Sequence, residues 1–308
     1  MSALRERTLQ VGEVHSPMIE AGPAEATEAV VFMHGNPGSS TDWTALAESV
    51  GELGRAVAFD MPGFGKARAP QGFEYHVDAY AQFLEDARTA LGIERVHLVL
   101  HDFGGPFGLR WGLEHPERWA SAVLLNVGVV PGYEWHSMAR RWRTPVVGEL
   151  VQAWIPRFAW RRVMQQGSPR GMPLQFVDKM YDDYDRETRN TVLKLYRNTP
   201  DPGEVAEQVG AAIAELHKPA LVVWGAADPF IGVQFAERQR EFFDVEDLVI
   251  LPESGHWPFQ DDPEAVERAV LGFLRGRLGA GGGGDQANRS SAEGRSSAAA
   301  PGPSAEVT

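Results

Sequence analysis

The 308-residue chain contains no cysteine. Disulfides, thiolate metal sites, cysteine nucleophiles and ligated iron–sulfur clusters are therefore excluded, while the redox compartment stays open. Also missing is any apolar run of the ~18–20 residues that a bilayer span requires. The N-terminal stretch MSALRERTLQVGEV has no apolar core behind its basic residues, so it does not read as a secretory signal. The expectation is a soluble, cytoplasmic protein with no membrane partner. Basic clusters are absent too: 29 Lys and Arg stand against 42 Asp and Glu, a net charge of −13. That balance disfavours a nucleic-acid partner. If it extends to the mouth of a binding site, it also mildly disfavours anionic substrates. Nothing implies a metal or an organic cofactor, and the oligomeric state is left open.

What is present reads as a globular α/β chain. Short β-branched runs occur at Ala29–His34, Ala56–Asp60, Val96–His101, Ser121–Asn126, Ala220–Trp224 and Asp247–Leu251. Near-continuous apolar runs bounded by turn residues suit strands buried on both faces of a parallel sheet. Helical patterns lie between them, at about Trp43–Leu53, Val77–Leu91, Phe103–His115, Val233–Phe243 and Pro263–Leu278. The alternation predicts a mostly parallel, doubly wound sheet, with polar runs near the N-terminus supplying an antiparallel edge pair.

The alternation breaks over 131–216, which carries four of the nine Trp (Trp135, Trp142, Trp154, Trp160) and four of the six Tyr (Tyr133, Tyr181, Tyr184, Tyr196). This segment is expected to be a helical cap inserted in a core made of 1–130 and 217–278. An insertion after a sheet strand sits over the strands' carboxyl ends, where open α/β folds bind ligands; each aromatic could equally be the cap's own core. Residues 279–308, rich in Gly, Ala and Ser, cannot bury enough surface to offset their ordering entropy and are expected to form a disordered tail.

Three strand ends carry candidate chemistry. The run Val96–His101 leads into Asp102-Phe103-Gly104-Gly105 and then a helix. A strand-to-helix turn with small residues after a polar one is the geometry of a nucleophile elbow, with the helix N-terminus favouring negative charge. An ordinary N-cap Asp would look the same on this segment alone. Downstream, Ala220–Trp224 places Asp228 just past a strand end, and Asp247–Leu251 does the same for His256 in Ser254-Gly255-His256-Trp257-Pro258. Nucleophile, acid and base thus follow in the order Asp102, Asp228, His256. Earlier, the turn His34-Gly35-Asn36-Pro37 can aim the Asn36 amide at the site, where it and the Phe103 amide would form an oxyanion hole.

These segments resemble the α/β-hydrolase superfamily over about residues 8–278, and within it the aspartate-nucleophile branch of epoxide hydrolases and haloalkane dehalogenases. No Gly-x-Ser-x-Gly occurs anywhere; Asp stands at the elbow. A carboxylate is ionised at pH 7 and displaces a good leaving group from an sp³ carbon without a base. The resemblance therefore implies an alkyl ester on Asp102, hydrolysed by water that His256 activates while Asp228 orients the imidazole.

The leaving group divides the branch. An epoxide leaves as an alkoxide and needs an O–H donor. Leu193-Lys194-Leu195-Tyr196-Arg197-Asn198 is similar to the stretch that carries a ring-opening tyrosine in epoxide hydrolases, so the resemblance assigns that role to Tyr196. Tyr133, Tyr181 and Tyr184 compete for a second phenol. A halide needs N–H donors, which dehalogenases provide as a Trp after the nucleophile plus an Asn at the Asn36 position or a Trp in the lid. Here Phe103 follows the nucleophile. Leu100, where epoxide hydrolases usually have Gly, points instead to dehalogenases. Some of those keep their acid where this chain has Asn126, which cannot serve. The preferred expectation is an epoxide hydrolase acting on a small apolar organic substrate, with haloalkane dehalogenation as the alternative. A non-catalytic ligand-binding member of the fold is the reading from another class, distinguished by stabilisation without turnover across a panel of epoxides and haloalkanes.

Overall fold

A computed structural model describes residues 3–153 and 155–278. The expected tail and Trp154 lie outside the described residues. The chain opens with β1 (Arg5–Val11), β2 (Val14–Ala21) and β3 (Glu28–Met33), then α1 (Thr44–Val50) and β4 (Arg55–Phe59). It continues through α2 (Val77–Ala90), β5 (Arg95–His101), α3 (Gly104–Glu114) and β6 (Trp119–Leu125). Six helices follow: α4 (Ser137–Arg143), α5 (Val147–Ala153), α6 (Arg157–Gln166), α7 (Leu174–Asp183), α8 (Arg186–Asn198) and α9 (Pro202–Ala214). The sheet then resumes with β7 (Pro219–Gly225), α10 (Gln234–Arg238) and β8 (Asp244–Leu251), before α11 (Pro258–Asp261) and α12 (Pro263–Leu274).

The eight strands lie in the order β1-β2-β4-β3-β5-β6-β7-β8. β2 runs antiparallel to both β1 and β4, and every other pair is parallel. The expected parallel strands are thus β3 to β8, with the expected antiparallel pair at the edge. From β3 the chain moves outward to β4 and then crosses back to β5 on the other side. That reversal opens a crevice at the carboxyl ends of β3 and β5. β3, β4 and the inner residues of β5 and β6 are buried, as their unbroken apolar runs require.

Several boundaries differ from expectation, each for a local reason. The helix expected from Trp43 begins as a 3-10 turn over Ser40–Trp43, because Ser39 and Asp42 form a reciprocal capping box. The Val233–Phe243 helix breaks into α10 and a second 3-10 turn over Gln239–Glu241. β8 is a half-exposed edge strand, and its Asp244, Glu246 and Asp247 face solvent and discourage further pairing. Leu100 is accommodated because a Cβ on Gly108 of α3 would stand 2.4 Å from its Cδ2; leucine on the strand is matched by glycine on the helix. Among the described residues no helix is long and apolar enough to cross a membrane.

Candidate active site

Asp102 sits between β5 and α3 with φ +49°, a left-handed conformation uncommon outside glycine. The sharp turn presents the carboxylate at the crevice, and its walls admit no extra atom. A Cβ on Gly35 would lie 2.3 Å from Asp102 Cβ, and one on Gly104 would lie 2.2 Å from the Met33 carbonyl. The Asn36 amide, in the turn after β3, donates to Asp102 Oδ1 at 2.7 Å. The Asn36–Pro37 peptide is cis. On the other oxygen, His256 Nε2 lies 3.4 Å from Asp102 Oδ2.

His256 follows β8, and its Nδ1 lies 2.8 Å from Asp228 Oδ2. The Asp228 side chain is fully shielded from solvent, so its charge must be met by protein donors. Four meet it: His256 Nδ1 and Asn126 Nδ2 on Oδ2, and the Phe230 and Ile231 amides on Oδ1, all within 3.1 Å. Asn126, at the end of β6 and also left-handed (φ +49°), accepts from the Gly225 amide and so ties β6 to the acid's loop. Sequence reading dismissed Asn126 as an acid and missed this positioning contact; its signal was a short polar residue at a strand end beside the acid's strand. His101 was missed as well. Its Nε2 lies 2.7 Å from the His256 carbonyl, and burial, aided by the nearby His256 charge, lowers its pKa to about 4. The neutral ring therefore donates and fixes the base's backbone.

The electrostatics follow from this chain of groups. Burial works against charge on His256, but Asp228 and Asp102 outweigh it and push the imidazole pKa up to about 10. Burial likewise opposes ionised Asp102, yet the hydrogen bond and charge of His256 win and hold it at about 2. The resting site is thus a carboxylate, an imidazolium and a second carboxylate in series. Each step that removes charge from one neighbour changes the proton affinity of the next.

A cavity of about 830 Å³ opens over Asp102. Asn36, Phe103, His256, Trp135 and Tyr196 line it, and most of the lining is apolar. Tyr196, on α8, has its hydroxyl 3.4 Å from Asn36 Nδ2 and its ring edge-on to Phe103 at 4.9 Å. Burial first, and then the Asp102 charge, raise the Tyr196 pKa well above that of a free phenol, so it is a protonated donor. Of its three rivals, Tyr181 is not in the lining and donates to the Ile155 carbonyl, while Tyr184 accepts from Gln152 Nε2 at 2.7 Å. Tyr133 lines the cavity, and burial together with the Asp102 charge raises its pKa too. Trp135 packs against both Tyr133 and Tyr196, and among the described residues its buried indole N–H has no hydrogen-bond partner. All six sequence-predicted residues, Asn36, Asp102, Phe103, Tyr196, Asp228 and His256, therefore meet here, with Asp228 behind the lining. Among the described residues no cluster of three or more acidic or histidine side chains is arranged to hold a metal.

A family model described as alpha/beta hydrolase fold matches residues 28–263. A haloalkane dehalogenase of Mycolicibacterium smegmatis is 30% identical over 292 residues, covering 87% of this chain and 91% of that protein. Among solved structures, a haloalkane dehalogenase from Bradyrhizobium elkani superposes with a TM-score of 0.77 at 24% identity, covering 90% of this chain and 98% of that one. Epoxide hydrolase A from Mycobacterium thermoresistibile gives 0.75 at 24% identity, covering 89% and 99%.

Proposed function

Because the chain belongs to the α/β-hydrolase fold family, in the branch that holds haloalkane dehalogenases and epoxide hydrolases, we propose that it opens epoxides through an ester on Asp102. The observation that supports this reading is the Tyr196 hydroxyl 3.4 Å from Asn36 Nδ2 in the cavity that Asp102 also lines, with Phe103 where an N–H donor for halide would stand.

In the first step an Asp102 oxygen bonds to an epoxide carbon as the ring C–O bond breaks. Tyr196 gives its proton to the departing oxygen, with Tyr133 as a second phenol. Esterification removes the Asp102 charge, so the support that held the His256 pKa high falls away. His256 then sheds its proton, which the tyrosinate takes up, and becomes the neutral base the second step needs. Water, deprotonated by His256, adds to the Asp102 carbonyl. The Asn36 amide, already on that carboxylate, and the Phe103 amide hold the oxyanion. Collapse releases the diol and restores the carboxylate and imidazolium. The base thus stays protonated until there is an ester to hydrolyse.

Halide displacement by the same nucleophile is the second reading, and Asn36 favours it: its side-chain amide lines the cavity with Asp102 and offers an N–H to a halide. One variant separates the two. His256→Gln should form the ester but hydrolyse it slowly, so intact mass spectrometry should find the adduct on Asp102. A gain of the whole substrate mass reports an opened epoxide; a gain of the alkyl group alone reports a lost halogen. Wild-type turnover with neither adduct in the variant would overturn the aspartyl-ester mechanism. Stabilisation by ligand without turnover in the wild type would leave the non-catalytic reading.

A further inference from the structure

The loop that carries His256 is clamped between the sheet and the inserted helices. Towards the sheet, a Cβ on Gly225, the last residue of β7, would overlap the Gly255 carbonyl oxygen. Towards the insertion, a Cβ on Gly255 would overlap the carbonyl oxygen of Gly167, which closes α6. Glycine at 225 and 255 thus lets three backbone segments stack at contact distance.

Hydrogen bonds lock the stack. The Gly167 carbonyl accepts from the His256 amide at 2.8 Å. The next residue of the insertion, Ser168, donates its hydroxyl to Asp261 Oδ1. Asp261, the last residue of α11, returns to the same loop, where its Oδ2 accepts from the Gly255 amide at 2.7 Å. The successive amides of Gly255 and His256 are therefore held by one closed circuit of groups, half from the core and half from the insertion. Ser168 and Asp261 are both buried, so little water competes for these bonds. Outside the circuit, Arg170 pairs with Glu253 at 2.7 Å and with Asp262 at 3.3 Å.

The circuit bears on chemistry through the imidazole. With its carbonyl taken by His101 and its amide by Gly167, the His256 backbone has little freedom, and the ring's bearing between Asp228 and Asp102 follows from it. We infer that Ser168 and Asp261 are positioning residues for the base: they clasp the insertion to the His256 loop, so the inserted helices govern hydrolysis of the ester as well as reception of the substrate. The inference rests on the aspartyl-ester reading for the step it affects. Attack by Asp102 needs no base, whereas hydrolysis needs His256 Nε2 aimed at a water beside the ester carbonyl, where a displacement of about 1 Å costs about 10²-fold.

Two measurements on the full chain test this, one without substrate. In the resting enzyme, the low-field proton resonance of His256 Nδ1, identified by its loss in His256→Gln, should shift and broaden in Asp261→Ala. In single turnover of styrene oxide or bromohexane, Asp261→Ala should leave ester formation level and slow ester hydrolysis about 10²-fold, so that the adduct on Asp102 accumulates. Ser168→Ala, which keeps the Gly255 bond, should do the same more weakly, about tenfold, and carries both readouts should Asp261→Ala not fold. Asp261→Asn should restore both, because its carbonyl oxygen can accept from the Gly255 amide while its Nδ2 donates to the Ser168 hydroxyl. An unmoved resonance, hydrolysis at the wild-type rate, or formation and hydrolysis slowed alike would overturn the inference. If the resonance moves as expected while no variant, His256→Gln included, carries an ester despite wild-type turnover, the clasp stands and the aspartyl-ester reading falls.

Discussion

The strand ends and the inserted helices face the same cavity with their polar groups in different states. At the strand ends the carboxylates are committed: Asp228 is met by four donors and both Asp102 oxygens have a partner. Among the inserted segments the donors are held loosely. Tyr196 has one long contact to Asn36, and Trp135 has none at its indole nitrogen among the described residues. The difference separates two tasks. On the proposed mechanism the sheet supplies attack and ester hydrolysis, which displacement of an epoxide oxygen and of a halide share, and the insertion supplies the groups that meet the leaving atom and the rest of the substrate.

That division can be broken experimentally, beginning where the effect should be largest. Asp102→Asn should abolish turnover of epoxides and haloalkanes alike, by at least about 10⁴-fold in kcat, with the circular dichroism spectrum unchanged. Residual turnover of either substrate near wild type would mean that the sheet is not the shared engine. Next, Tyr196→Phe should slow alkylation by epoxides about 10²-fold, the lower range for a general acid, and hardly affect bromoalkanes; single-turnover ester formation measures both. Equal slowing would move Tyr196 from chemistry to packing.

A smaller effect, about tenfold in ester hydrolysis, is expected for Asn126→Ala. Losing the amide leaves more negative charge on the Asp228 oxygen that faces His256, which favours the imidazolium. The base must be neutral to act, so the acid limb of the hydrolysis rate should move to higher pH. A fall in rate with an unmoved pH profile would make Asn126 a purely structural contact. The smallest expected effect is on stability alone. Lys179 of α7 reaches across to Ser39 and Asp42 on the core side at 2.5 and 3.2 Å, and burial already raises the Asp42 pKa against the pull of Lys179. Lys179→Met should lower stability by about 1–3 kcal/mol without altering kcat, as thermal melts and steady-state rates would show.

The sheet was legible because its strands are buried on both faces, and such runs as Val96–His101 leave little choice of element or neighbour. The three candidate catalytic residues were legible for a related reason: each stands one to five residues beyond a strand, at the end where side chains enter the crevice. The inserted helices were harder to read. Several are only seven to ten residues long, too short for periodicity to fix which face turns inward. Tyr133, Tyr181 and Tyr184 are therefore indistinguishable in sequence, and only packing separates the cavity's phenols from one that bonds the Ile155 carbonyl. His101 and Asn126 were illegible as positioning residues because their partners, the His256 carbonyl and Asp228, are more than 100 residues away.

The missing side chain at Gly35 has a stereochemical consequence. With glycine behind the Asp102 Cβ, and with the Asn36 amide on one oxygen and His256 on the other, the carboxylate is held at a single bearing to the cavity. On the proposed mechanism, backside displacement along one line inverts the attacked carbon, and the later hydrolysis at the Asp102 carbonyl never touches that centre again. The handedness of the product is then decided once, at the moment of attack, by which of two mirror-image substrates can bring its carbon onto that line.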